Sequence, residues 1–410
     1  MSRLSDIVAP PRLGTPFRWL LASSWVSNIG DGLAMSAGPL LVASQTHDPL
    51  LVAMAMLLQQ LPWLLFGLYA GAIADRHERK TIVIAVDLAR AVVLVILSTS
   101  IVTGEVSIAA VLVAMFLLGT AETFADTTSA TLLPMVVHRD DLPIANSRLL
   151  AGFITANQLA GPPIGAALFA AGMAWPFALQ AVLVAMGALL ISRMAAPTPP
   201  RSSETHLRGD IADGFRWLWH SPPVRTLALT IVIFNITFGA AWSVLVLYAT
   251  QHLGLGAIGF GLVTTAGAIG GLFGTLIYGW LTARVSLGNI MRVGLVIETL
   301  THLALALTRT GWVALLIFFV FGAHAFIWGA TSTSVRQRAV PLQFQGRVGS
   351  VYLVGVYGGM VAGSLIGGLI ARHWGVTAPF WFAFGGSALF VVLIWKQLRH
   401  IAHDDVLPVG

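Results

Sequence analysis

Apolar residues in this chain fall in long runs, and polar residues collect in the short stretches between them. The runs recur at about 20 residues, the length a helix needs to cross the hydrocarbon core of a bilayer. Twelve such spans are predicted, over 17–44, 50–74, 81–103, 106–130, 148–172, 175–194, 224–250, 257–283, 290–308, 311–335, 347–371 and 376–396. The expectation is an all-α membrane protein.

Composition agrees, with 57% hydrophobic and 10% charged residues among 410. The 42 glycines suit helices that pack closely in lipid. Cysteine is absent, which removes disulfides and thiolate chemistry. A formal charge of +6 would suggest a nucleic-acid partner in a soluble chain, so the positions of the basic residues decide its meaning. With a cytoplasmic N-terminus, the inner connections hold Arg76, Arg79, Lys80, Arg139, Arg148, Arg193, Arg201, Arg208, Arg284, Arg292, Arg336, Arg338, Arg347 and others. The outer connections hold only Arg309 and Arg372, and Arg90 lies inside the third span. This bias places both termini in the cytoplasm and makes orientation, rather than nucleic acid, the meaning of the charge. The first span is too long for a cleaved signal and carries Asp31.

The one extended polar stretch, 195–223, divides the chain into an N-terminal six-helix bundle over 1–194 and a C-terminal one over 224–410. Within it Ile211, Phe215, Leu218 and Trp219 recur at helical spacing, with Asp210, Asp213 and Arg216 on other faces, which predicts a short amphipathic helix on the inner membrane surface. Three pairs of phrases repeat across the boundary. "PFRWL" and "PVRTL" are about 207 residues apart, "GAIADR" and "GWLTAR" about 208, and "AGPPIGA" and "AGSLIGG" about 202. Their constant order and spacing predict two parallel six-helix pseudo-repeats around a central site.

"GLYAGAIADRHERK", between the second and third spans, resembles the corresponding loop of the major facilitator superfamily, and the six-plus-six plan covers the whole chain. The resemblance implies a charge relay at the cytoplasmic surface, formed by Asp75, Arg79 and Asp126. The second-half copy has Ala283 where Asp75 stands. "NQLAGPPIGA" is similar to the superfamily's antiporter signature, with Gly161, Pro162 and Gly165 in place and Asn157 and Ala166 where the outer glycines would be. The same residues are also those of ordinary small-residue packing. "SNIGDG", "DLARA", "TLLPMVV" and "DLPIANS" are similar to a bacterial branch of twelve-helix drug/proton antiporters that includes macrolide efflux pumps and the enterobactin exporter.

A carboxylate at the centre of a membrane helix costs about 2.5–3.5 kcal/mol, so ionisable residues within spans mark function. Asp31 lies near the middle of the first span on the face of Asn28, where a carboxyl is suited to loading and releasing protons; the rival role is a hydrogen-bonded packing residue. Glu122 stands one turn before Asp126, as a second proton site, a cation-recognition group or a member of the relay. Asp87 and Arg90 are three apart and expected to pair locally, and Glu298 is expected between helices. His324 is expected either in proton exchange or in hydrogen-bonded packing. The resemblance implies that spans 1, 4, 7 and 10 line the substrate cavity, which directs attention to Asn28, Asn235, Phe238, Trp242, His324 and Trp328. Aromatic walls with few polar groups suit an amphipathic or cationic organic substrate.

Neither a phosphate-binding glycine loop with its lysine nor a His/Cys metal pattern is present in the sequence, so no enzyme and no cofactor is expected, with the proton gradient as energy source. The expected protein is a monomeric, proton-coupled exporter of small amphipathic organic compounds in the bacterial cytoplasmic membrane, with the lipid bilayer and a small molecule as partners and no nucleic acid. Export of a siderophore or lipid-like metabolite is the alternative within transport. A non-transporting sensor of the same fold is the alternative outside it, and the short tail of about fourteen residues after the last span argues against it.

Overall fold

A computed structural model describes residues 10–195, 215–341 and 344–398. Among them the regular structure is entirely helical, and nine helices are long and apolar enough to cross a membrane. The first unit contains α1 (Gly14–Gln45), most of α2 (Pro49–Arg76), α3 (Arg79–Val102) and α4 (Ile108–Ser129). It also contains α5, which runs as Leu142–Gly152, a π-helical stretch Phe153–Ala160 and Gly161–Ala171, and α6 (Trp175–Ser192). The second unit holds α7 (Pro222–Trp242), most of α8 (Ala257–Thr282), α9 (Leu287–Leu307), α10 (Gly311–Ala339), α11 (Gln345–Trp374) and α12 (Ala378–Ile394). The units are not simple halves of the chain. Residues 47–60 of the α2 region belong to the second unit and 260–265 of α8 to the first.

Each unit is built on the same pairings. In the first, α1 packs on α5 and α6, and α3 on α4 and α6. In the second, α7 packs on α11 and α12, and α9 on α10 and α12. Their apolar cores use residues in the same order. Leu20, Val83, Leu132 and Ile191 are buried together in one, and Leu227, Met291, Val335 and Ile394 in the other, at separations of about 203–208 residues.

Helix α3 shows how one sequence serves lipid on one side and protein on the other. Val83, Asp87, Arg90, Leu94 and Leu97 follow the helical repeat and are buried, whereas Leu88, Val92, Val95 and Ile96 are exposed. In water such an apolar face would be an anomaly; against acyl chains it is the favourable arrangement. The π-helical stretch of α5 has a local cause in Pro162 and Pro163. They lack backbone N–H groups, so the preceding carbonyls lose their i+4 donors and the turn widens.

Glycine decides how closely two of these pairs approach. A Cβ on Gly161 would stand 2.6 Å from the carbonyl carbon of Gly32, and one on Gly165 would stand 2.8 Å from Cα of Leu33. In the second unit a Cβ on Gly363 would stand 2.9 Å from the Ile236 carbonyl carbon, and one on Gly367 2.6 Å from Cα of Ala240. Thus α5 on α1 and α11 on α7 meet main chain to main chain.

Of the linker, residues 196–214 lie outside the described residues, and with them Asp210, Ile211 and Asp213. Residues 215–220 are helical. Leu218 is buried beside Val224, Val340 and Val348, while Phe215 and Trp219 stack at 5.8 Å and are exposed.

Candidate functional site

The expected ionisable residues of the first unit converge on one guanidinium. Gly30 and Gly32 flank Asp31 on α1. A Cβ on Gly30 would lie 3.2 Å from Cγ of Gln180, and one on Gly32 would lie 2.9 Å from Cα of Asn157, so α1 sits tightly between α6 and α5. That approach brings Asp31 within reach of α3 and α6. Arg90 donates from Nη2 to Oδ1 of Asp31 and from Nη1 to Oδ1 of Asp87, the latter at 3.4 Å. Gln180 donates from Nε2 to the same oxygen of Asp31 at 3.4 Å. The Arg90 and Asp87 side chains are each about 5% exposed and Asp31 is 20% exposed, so Asp31 is the most open member of the trio.

Glu122 and Asp126, one turn apart on α4, lie in the electrostatic field of Arg90 and Asp31. Two carboxyls therefore share the guanidinium directly, and two more lie near enough to feel its charge. Asp87 and Arg90 are buried, Asp31 and Glu122 half-buried and Asp126 exposed, so the group runs from the interior of the unit to its surface. The local Asp87–Arg90 pair expected from sequence is present, and it is part of a larger cluster spanning α1, α3, α4 and α6. Gln180, which completes it, is absent from the sequence reading. Its signal was a single amide in the otherwise apolar run 175–191.

Asn28, on the Asp31 face, instead donates to the Ser24 carbonyl at 2.7 Å and hydroxyl at 3.2 Å. Of the expected relay, the Asp75 side chain lies outside the described residues, and Asp126 lies in the field of Arg90. Arg79 donates to the carbonyls of Ala74 at 3.2 Å and Thr131 at 3.4 Å, tying the end of α2 to the segment after α4. Gly161, Pro162 and Gly165 are buried where α5 crosses α1.

The expected cavity residues of the second unit form an aromatic group. Phe238 stacks on Trp242 at 4.4 Å and on Phe321 at 6.0 Å, and Trp242 meets Phe318 edge-on at 5.6 Å. His324 and Glu298 pair across α9 and α10 at 3.4 Å, with side chains 4% and 13% exposed. Trp328, half-buried, packs with His324 around Gly294, where a Cβ would come within 2.7 Å of the Trp328 ring and 3.0 Å of the His324 ring. Its indole Nε1 is buried without an acceptor. Asn235 donates to the Ile231 carbonyl at 2.7 Å. Phe318, Phe321 and His302, which lies edge-on to Trp242, were missed by sequence reading because nothing in an apolar run tells a lipid-facing aromatic from an inward one.

Comparison with known proteins places this architecture. A family model described as transmembrane secretion effector matches residues 7–407. The enterobactin exporter EntS of Citrobacter koseri is 26% identical over 405 residues, covering 96% of this chain and 95% of that protein. The Escherichia coli O9:H4 enterobactin exporter is 26% identical over 395 residues, covering 94% and 92%. Among solved structures, a bacterial homologue of the iron transporter ferroportin in its inward-facing state superposes with a TM-score of 0.75 at 16% identity, over 93% of this chain and 98% of that one. The nucleoside transporter NupG does so at 0.72 and 14%, over 95% and 99%. At these identities the structures speak for the fold.

Proposed function

Because the chain belongs to the transmembrane secretion effector family of the major facilitator superfamily, multi-pass proteins of the bacterial inner membrane, we propose that it is a proton-coupled exporter working by alternating access. The supporting observation is the Asp31–Arg90–Asp87 cluster with Glu122 and Asp126 in its field. Asp31 is the more open of the two carboxyls bonded to Arg90. Gain or loss of a proton at Asp31 changes its bond to Arg90, and with it the tie between α1 and α3. Glu122 is the second acid that takes part. In this reading twelve spans cross the membrane with both termini in the cytoplasm, as the placement of basic residues supports. The cytoplasmic relay of Asp75, Arg79 and Asp126 closes one side of the cycle.

The substrate is a small amphipathic organic compound, recognised by the aromatic group around Phe238 and Trp242. A second reading, export of an endogenous siderophore, is favoured by the relatives, which are named as enterobactin exporters. Inside-out vesicles containing the purified protein, loaded by an imposed proton gradient with a cationic fluorescent dye, test the first reading. Gradient-dependent uptake is expected in the wild type and its loss in Asp31→Asn. Equal uptake in both would remove Asp31 from coupling. Absence of uptake in both, with gradient-driven uptake of a siderophore in its place, would decide for the second reading.

A further inference from the structure

We propose that Arg336, with Tyr352 and Ser332, forms a binding site for an oxoanion, a phosphate or carboxylate group carried by a lipid headgroup or by a soluble organic anion. Arg336 lies in the last turn of α10, and its guanidinium carbon is 3.9 Å from the ring centroid of Tyr352 on α11. The Tyr352 hydroxyl is 3.4 Å from that of Ser332, one turn before Arg336 on the same helix. Stacking on a ring occupies a face of the guanidinium and leaves its in-plane N–H donors to be satisfied, in the forked geometry that matches an oxoanion. Here the Nη1 donor is buried and has no hydrogen-bond partner.

Among its described residues the unit supplies no counter-charge. Among its described residues the carboxylates are Asp48 and Glu298, and both are engaged, Asp48 with Arg372 at 3.6 Å and Glu298 with His324 at 3.4 Å. The contrast with Arg90, which is bonded to two carboxylates, is direct. A half-buried cation without an internal anion is costly unless an external one completes it. The position suits such a ligand. Helix α10 has 29 residues, roughly 43 Å at 1.5 Å per residue, against a hydrocarbon core of about 30 Å, so its last turn reaches headgroup depth. This inference does not depend on proton coupling at Asp31.

Full-length protein in phosphatidylcholine nanodiscs, titrated with inorganic phosphate and with benzoate and followed by thermal unfolding, reads the soluble source. Native mass spectrometry of protein reconstituted with phosphatidylglycerol, counting retained lipid, reads the headgroup source. Saturable stabilisation by phosphate or benzoate, weakened roughly tenfold in Arg336→Gln, identifies a soluble anion. Loss of one retained phosphatidylglycerol in Arg336→Gln identifies a lipid. Arg336→Lys keeps the charge and is expected to retain part of the affinity, and Tyr352→Phe to weaken binding less than the glutamine variant. Should the glutamine variant not fold, these two are read in the same assays. Variants that match the wild type in both arms overturn the proposal.

Discussion

Replacing Arg90 with glutamine is expected to lower the unfolding free energy by about 3–5 kcal/mol, the usual cost of taking one partner from a buried ion pair. The side chain is only 5% exposed, so solvent does not take over its role. What remains are Asp31, Asp87, Glu122 and Asp126 without the cation whose field they share. Two further results distinguish charge balance from simple loss of packing. The deficit is expected to shrink at acidic pH, where the carboxyls lose the charge that Arg90 balances. The double variant Arg90→Gln/Asp31→Asn is expected to be more stable than Arg90→Gln alone, because one stranded carboxylate is gone. Thermal unfolding of detergent-purified protein at two pH values measures both. Additive losses independent of pH would show that Arg90 serves packing alone.

Substitution at the α1–α5 crossing is the second large effect. Gly165→Ala places a methyl 2.8 Å from Cα and 2.9 Å from the carbonyl carbon of Leu33, and main chain has no rotamer by which to withdraw. The helices must separate, at a cost of about 1–3 kcal/mol. Gly363→Ala is expected to act likewise on α7 and α11, where the added carbon meets the Ile236 carbonyl carbon at 2.9 Å and the Ala240 nitrogen at 3.0 Å. Gly279 and Gly329 are the controls, since a Cβ there meets nothing within 4 Å. In those helix interiors alanine is expected to be neutral or stabilising by up to about 1 kcal/mol. Midpoints of thermal unfolding for the four variants settle the comparison, and equal midpoints for Gly165→Ala and Gly329→Ala would refute it. The result bears on the antiporter-like phrase, because Gly161 and Gly165 act first by letting two backbones touch.

The sequence by itself determined that this is a helical membrane protein and which residues carry charge into its apolar runs. Partition between water and lipid acts locally, residue by residue, so apolar length and charge placement carry that information without reference to partners. The Asp87–Arg90 contact was legible for the same reason, being an i, i+3 neighbour on one helix. Only the tertiary structure decided that Arg90 reaches Asp31, 59 positions away, and that Gln180, 149 positions from Asp31, completes the group. It also decided that Phe238 and Trp242 meet Phe318 and Phe321, and that Arg336 finds an aromatic face but, among the described residues, no carboxylate. In lipid an apolar face pointing outward costs no more than one pointing inward, so hydropathy does not report which faces meet. The close crossings made by Gly32, Gly161 and Gly165 set that for α1 and α5, and with Gly30 against α6 they hold Asp31 where it meets Arg90 and Gln180.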